Sequence, residues 1–113
     1  MTNHDGLLID AERLAIELRK RGDEWADKDA AYKALEEVQK SILSQAFLAV
    51  EGGSIAEKEA KARASTQFAE HLEAIAKART EANKARVAYD VYKTYVDLMR
   101  TNAAAQRVLV DLR

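Results

Sequence analysis

Residues 51–57, Glu-Gly-Gly-Ser-Ile-Ala-Glu, predict the one sharp bend of this chain. Gly52 and Gly53 supply the permissive backbone with which helices commonly end. Ser54 can then begin a new helix, and Glu57 follows three residues later. This spacing is a capping box, in which the Ser54 hydroxyl accepts from a first-turn amide and the Glu57 carboxylate accepts from the amide of Ser54. We therefore predict two helical arms joined by a turn at 51–54.

The composition favours long helices on both sides of the turn. The 113 residues include no proline and only four glycines, and 33% of them are charged. Such a composition is typical of long helices and coiled coils. The fold class predicted is all-α: a long antiparallel helical hairpin that forms one domain over residues 1–113 and assembles into an oligomeric bundle or coiled coil. We expect helices near 6–20, 23–50 and 55–111.

The first arm carries apolar residues at alternating steps of three and four, which is a heptad pattern with three polar interruptions. The positions are Ala11, Leu14, Leu18, Arg21, Trp25, Lys28, Tyr32, Leu35, Gln39, Ile42, Ala46 and Ala49. Gly22 lies within the pattern, and a helical glycine costs about 1 kcal/mol relative to alanine. The arm is either one helix strained at Gly22 or two helices, with Asp23 capping the second. We favour the break.

The second arm has the same rhythm with an apolar face that is wider. Its positions are Ile75, Ala78, Ala82, Ala85, Tyr89, Tyr92, Val96, Met99 and Ala103, with Phe68 and Leu72 upstream after one slip in register. Val91, Tyr95 and Leu98 extend the face sideways, and a wide face implies more than one neighbour.

A lone hairpin of this kind would leave apolar surface in water, so we expect a homo-oligomer. The large apolar residues of both stripes are the predicted oligomer interface: Trp25, Tyr32, Leu35, Ile42, Phe68, Leu72, Ile75, Tyr89, Tyr92, Val96 and Met99. The pattern is compatible with arms that pair within one chain or between chains.

The inventory of reactive side chains argues against catalysis. There is no cysteine, and the two histidines, His4 and His71, lie in different segments. No zinc-protease helix, phosphate-binding loop or nucleophile elbow is present. The carboxylates alternate with lysine and arginine as on a solvated helix face. We expect no enzymatic activity, no metal and no cofactor.

The charge of the chain is divided unevenly. From Lys77 onward there are eight basic residues against four acidic ones, whereas residues 1–76 carry a net charge of −5. Tyrosines lie among the basic residues, and single-stranded nucleic acid is often held by basic side chains together with stacking rings. The candidate contact residues are Lys84, Arg86, Lys93, Tyr95, Arg100 and Arg107. Alternatively, the tyrosines are core residues at heptad spacing and the basic residues are ordinary surface.

Three stretches resemble a group of small bacteriophage helical proteins. They are residues 53–57 (Gly-Ser-Ile-Ala-Glu), residues 59–65 (Glu-Ala-Lys-Ala-Arg-Ala-Ser) and residues 100–107 (Arg-Thr-Asn-Ala-Ala-Ala-Gln-Arg). The layout also resembles the UvsY-like recombination mediator family. The resemblance implies a helical hairpin that oligomerises, binds single-stranded DNA and helps to load a recombinase onto DNA coated by single-strand-binding protein.

Two functions follow as hypotheses. The first is an oligomeric, non-enzymatic accessory protein of phage DNA recombination or replication that binds single-stranded DNA. The second is a structural assembly or adaptor protein without nucleic-acid binding. The start of the chain is acidic and no apolar run approaches the roughly 18 residues that span a bilayer. We therefore expect no membrane partner and a cytoplasmic location, in the bacterial host if the protein is phage-encoded.

Overall fold

The computed structural model describes the backbone of residues 4–112 and the side chains of residues 10–112. This part of the chain contains no strand and four helices: α1 (His4–Glu37), α2 (Gln39–Leu48), α3 (Ile55–Arg63) and α4 (Thr66–Asp111). The predicted all-α helical hairpin is confirmed. The side chain of His4 lies outside the described residues.

The chain forms two compact units, Ala26–Asn83 and Met1–Trp25 with Lys84–Arg113. We call the first the bend unit and the second the terminal unit. In the bend unit the chain runs through the last part of α1 and all of α2 to the bend. It then runs back through α3 and the first part of α4. In the terminal unit the start of α1 lies antiparallel to the last part of α4, because Arg21 contacts Tyr92 while Trp25 contacts Tyr89. We call the line of contact between the arms in each unit the seam.

The bend has the local geometry that its sequence predicts. Gly52 and Gly53 adopt φ angles of 72° and 97°, where side chains other than glycine are strained. The Ser54 hydroxyl accepts from the amide of Glu57 at 3.2 Å and so caps α3. The second hydrogen bond of the capping box, from the amide of Ser54 to the carboxylate of Glu57, is not formed among the described residues. The Glu57 carboxylate lies close to Gly53: a Cβ atom added to Gly53 would be only 2.8 Å from Oε2 of Glu57.

The predicted break at Gly22 is wrong. Helix α1 continues through Gly22 and Asp23, and its last residue is Glu37. The ring of Tyr89 packs beside Gly22, where a Cβ atom would lie 3.4 Å from it, at ordinary van der Waals distance. The first arm is interrupted instead at Val38, whose φ and ψ are −89° and 1°.

These two glycines predict opposite effects for the same substitution. At Gly22 the backbone is helical and the added methyl reaches only contact distance, so Gly22→Ala should stabilise the protein by about 0.5–1 kcal/mol. Gly53→Ala should destabilise it by about 1–2 kcal/mol, because φ is positive and Glu57 must move. Urea unfolding followed by far-UV circular dichroism measures both. A destabilising effect of Gly22→Ala would show that the space beside Tyr89 is too small for a methyl group.

The second arm is also divided, which corrects the single helix predicted over 55–111. Helix α3 ends at Arg63, and α4 begins at Thr66. The Ser65 hydroxyl donates to the carbonyl of Ala62 at 2.6 Å and accepts from the amide of Phe68 at 3.2 Å. A serine that bonds its own backbone competes with helix continuation and caps a new helix.

The core lies along the seam and consists mainly of small side chains. The buried residues are Ala46, Ala62, Phe68, Ile75, Ala82 and Val96. Alanines let the helices approach closely, and Phe68 is the largest of the six. Leu72 is 42% exposed and lies beside the seam, whereas His71 occupies the seam position and donates from Nε2 to the carbonyl of Leu35 at 2.9 Å. With His71 at the seam position, Phe68, His71 and Ile75 follow the steps of three and four of the heptad pattern without a slip in register.

Candidate interaction surfaces

Four of the six predicted DNA-contact residues lie on one face of α4. Arg86, Lys93, Arg100 and Arg107 are spaced seven residues apart and all are exposed. Seven residues advance a helix by about 10 Å and return nearly to the same face. The four side chains therefore form one line about 32 Å long, which we call the basic stripe.

The remaining two predicted residues are not on this stripe. Lys84 and Tyr95 are exposed, but each lies about half a turn around α4 from the basic residues. Tyr95 is 52% exposed and contacts the ring of Tyr92, with centroids 6.0 Å apart. The structure thus separates the predicted aromatic contact from the cationic groups.

The basic stripe is accessible but not purely cationic. Asp90 and Asp97 follow Arg86 and Lys93 at a spacing of four and lie beside them on the helix. Among the described residues, no member of the stripe forms an ion pair within 4.0 Å. The guanidinium and ammonium groups are therefore available to an external anion, and the aspartates reduce the local positive potential.

The tyrosines at seam positions are occupied by packing inside the terminal unit. The ring of Tyr89 packs on Trp25, with centroids 5.5 Å apart and planes inclined by 37°. The guanidinium of Arg21 lies over the ring of Tyr92 at 4.7 Å and is paired with Glu17 at 3.0 Å. This cation–π arrangement explains how an arginine is tolerated at a seam position. Neither ring is free to stack on a base.

A polar contact joins the arms of the bend unit. Arg79 donates to the Tyr32 hydroxyl at 3.2 Å, its guanidinium lies 5.3 Å from the ring centroid, and Glu36 is within 3.9 Å. The Tyr32 hydroxyl donates in turn to Glu36 at 2.5 Å. Arg79 precedes Arg86 by seven residues, yet it is used within the hairpin. Sequence reasoning did not identify this group.

An exposed surface pair on α1 shows a modest electrostatic effect. Lys33 lies 2.8 Å from Asp29, one helical turn away. The hydrogen bond and the charge of Asp29 raise the pKa of Lys33 above its usual value. Because the lysine is solvent-exposed, this pair belongs to the solvated face and not to a site.

A second apolar line runs along the exposed part of α4. Its members recur at alternating steps of three and four: Ala88, Val91, Tyr95, Leu98, Asn102, Ala105, Leu109 and Leu112. We call it the outer stripe. Val91, Leu98 and Leu109 are between 59% and 64% exposed. The outer stripe lies about 100° from the seam and about 180° from the basic stripe. From sequence alone, its first residues are only a widening of the seam.

Two grooves accompany the seam. The terminal unit has a groove of about 540 Å³ whose lining includes Ala15, Gly22, Met99 and Arg100. The bend unit has one of about 420 Å³ that includes Phe47 and Ala62. Both have apolar lining residues, and charged side chains also border them: Asp10, Arg19, Asp23 and Arg100 in the first, and Glu59 and Arg63 in the second.

The predicted oligomer-interface residues are used largely within the chain. In the bend unit Tyr32, Leu35, Ile42, Phe68 and Ile75 are buried or half-buried along the seam, and only Leu72 lies outside it. In the terminal unit the same holds for Trp25, Tyr89, Tyr92 and Val96, while Met99 is 38% exposed and lines the groove. The apolar side chains of the outer stripe, by contrast, remain exposed to water.

Residues 10–112 contain no cluster of three or more histidine, cysteine or acidic side chains placed to hold a metal ion. No described helix is both long enough and apolar enough to cross a membrane. In comparisons with known proteins, no family profile matches the chain, and neither a curated protein nor a solved structure is significantly similar to it.

Proposed function

We propose that this chain is a non-enzymatic accessory protein that binds single-stranded DNA through the basic stripe of α4. The observation that carries the proposal is the alignment of Arg86, Lys93, Arg100 and Arg107 on one exposed face. Regularly spaced cations along a rigid helix can neutralise successive phosphates of an extended strand.

The geometry also limits how such binding would work. Tyr89 and Tyr92 are packed in the seam, and Tyr95 lies on the far side of α4 from the basic stripe. The contacts available are therefore phosphate contacts, which are independent of sequence and sensitive to salt. Asp90 and Asp97 weaken the attraction further, so the affinity of one chain is modest and self-association would raise it through multivalency.

The proposed biological role follows the family resemblance. A self-associating, single-stranded-DNA-binding hairpin would act in phage recombination or replication, beside a recombinase and a single-strand-binding protein, in the host cytoplasm. The resemblance lies in the motifs at residues 53–57, 59–65 and 100–107.

The first test is a titration of labelled oligo-dT by fluorescence anisotropy at several salt concentrations. We expect micromolar binding at low salt. Four phosphate contacts on a single strand predict a slope of about −3 for the logarithm of the association constant against the logarithm of salt concentration. Anisotropy that stays flat at low salt contradicts direct DNA binding.

A matched pair of substitutions locates the contact. Lys93→Gln should weaken binding and reduce the magnitude of the slope by about 0.7, because one phosphate contact is lost. Lys84→Gln removes the same charge from the same helix, but from outside the basic stripe, and should leave the slope unchanged. Equal effects of the two variants would mean that the net charge, and not the stripe, holds the DNA.

A second candidate function is a structural assembly or adaptor protein. The observation that favours it is the exposed outer stripe, together with the aspartates that accompany the basic residues. A mixed-charge face is common on helices that pair with other helices. In this case Lys93→Gln alters self-association or partner binding, and oligo-dT is not bound.

A further inference from the structure

The exposed face of α4 repeats the pattern by which helices pair. Between Ala88 and Leu112 the outer stripe follows steps of three and four through three heptads. Writing Ala88 as position a makes Val91 position d, and the later members alternate in the same way. These are the two positions at which coiled-coil helices interlock. The seam uses a different pair of positions, so α4 has two separate helix-packing faces.

The size of this face requires a cover. Val91, Tyr95, Leu98, Leu109 and Leu112 are between 52% and 79% exposed. They extend over about 32 Å along the helix axis. Soluble monomers rarely expose contiguous apolar patches larger than a few hundred Å². A strip of this length and about 10 Å width covers roughly 320 Å², so the residues that border it must also contribute to the roughly 800 Å² per partner of a stable interface.

One polar residue interrupts the stripe and specifies its partner. Asn102 is exposed at an a position, and a single asparagine at such a position fixes the register and the number of strands of a coiled coil. In a parallel pair of identical helices in register, the two Asn102 amides face each other, and each can donate and accept. In a shifted register each amide meets an apolar side chain and is buried without a partner.

The residues flanking the outer stripe permit two identical copies to meet. The positions that border a and d are occupied by uncharged residues: Tyr92, Thr94, Met99, Thr101, Gln106 and Val108. Like charges at these positions would repel in a parallel homodimer, and the bordering positions between residues 92 and 108 carry none. Between Ala88 and Asp111 the charged residues lie on the other faces of the helix. A neutral, self-complementary strip fits a second copy of this chain.

We infer that two copies of this chain pair in parallel through the outer stripe, with Asn102 in register across the two-fold axis. The proposed function includes self-association, and this inference specifies how it occurs. It rests on the self-association alone and not on DNA binding. The basic stripe is on the opposite side of α4, so both copies present it outward. Its tests contain no DNA, and a failure of pairing is therefore distinguishable from a failure of DNA binding.

The first experiment measures the molar mass by light scattering and sedimentation over a range of concentrations. The unaltered chain is expected to be at least dimeric at tens of micromolar. Leu98→Asp places a charge at a d position and should raise the dissociation constant about 100-fold or more. Ile16→Asp is the control, since Ile16 is 68% exposed on α1. It should leave the mass unchanged, and circular dichroism should be helical for both variants.

A second experiment tests orientation and register. The chain has no cysteine, so a single introduced thiol reports only on pairing between copies. Ala105→Cys lies at a d position and should form a disulfide-linked dimer on mild oxidation, because in-register partners come within bonding distance. Ala104→Cys, its neighbour, points away from the outer stripe and should not. A monomeric chain, an oligomer that tolerates Leu98→Asp, or equal cross-linking at the two positions overturns the inference.

Discussion

Phe68→Ala should lower the free energy of unfolding by about 3 kcal/mol or more. Phe68 is 5% exposed and is the largest of the buried side chains, whereas three of the others are alanines. Replacing a buried phenylalanine removes its transfer free energy and leaves a cavity. The hairpin has few other large side chains with which to fill that cavity. For a chain of this size the melting temperature should fall by about 10 °C or more, as measured by far-UV circular dichroism.

Leu72→Ala is the matched control for Phe68→Ala. The sequence pattern places Leu72 on the same stripe, but the side chain is 42% exposed beside the seam. Its truncation should cost about 0.5 kcal/mol, because little apolar surface is returned to water and alanine is a good helix former. A cost equal to that of Phe68→Ala would mean that the seam runs through Leu72 and not through His71.

Trp25→Ala should destabilise the terminal unit by about 2–3 kcal/mol. Trp25 is half-buried, and its ring packs on Tyr89 with centroids 5.5 Å apart. The loss combines apolar burial with an aromatic pair that is itself worth about 0.5–1.5 kcal/mol. Trp25→Phe keeps a ring at this position and should retain most of the stability.

A double-mutant cycle separates these two contributions. Trp25→Leu and Tyr89→Leu, alone and together, should give a coupling energy near the value expected for the aromatic pair. Denaturant unfolding provides all four stabilities. Additive losses would show that the two rings do not interact, and would place the cost of Trp25→Ala in burial alone.

The elements that could be predicted from sequence are those with local causes. Two adjacent glycines and a serine determine the bend at residues 51–54, and the heptad pattern identifies the residues of the seam. The break at Ser65 also has a local signal, since serine is a common N-cap. Strong helix formers on both sides obscure that signal. At Gly22 local propensity favours a break, but α1 continues through this position and packs its backbone beside the ring of Tyr89.

The interruption at Val38 has no local signal. Valine is neither a cap nor a turn residue, and helix formers surround it. The nearby contact in the structure is long-range: His71 donates to the carbonyl of Leu35, a group in the last turn of α1. This contact joins residues of two different helices, so the sequence pattern around Val38 does not predict it.

The candidate contact residues lie close together in the sequence, but their spacing along a helix decides which of them share a face. Residues two apart on a helix, such as Lys84 and Arg86, lie about 200° apart. Residues seven apart, such as Arg86 and Lys93, share a face. The spacing of the basic stripe is therefore readable from the sequence once α4 is known to be continuous from Thr66 to Asp111.

The glycines at the bend also affect which chain an arm pairs with. The short connection from Leu48 to Ile55 keeps α2 and α3 at an effective concentration in the millimolar range. Exchange of arms between two chains would require the bend to open and, in a straight swapped form, to become helical. Two glycines inside a helix cost about 1 kcal/mol each relative to alanine, and the cap of Ser54 would be lost. The bend thus disfavours domain swapping and leaves the outer stripe for contacts between folded copies.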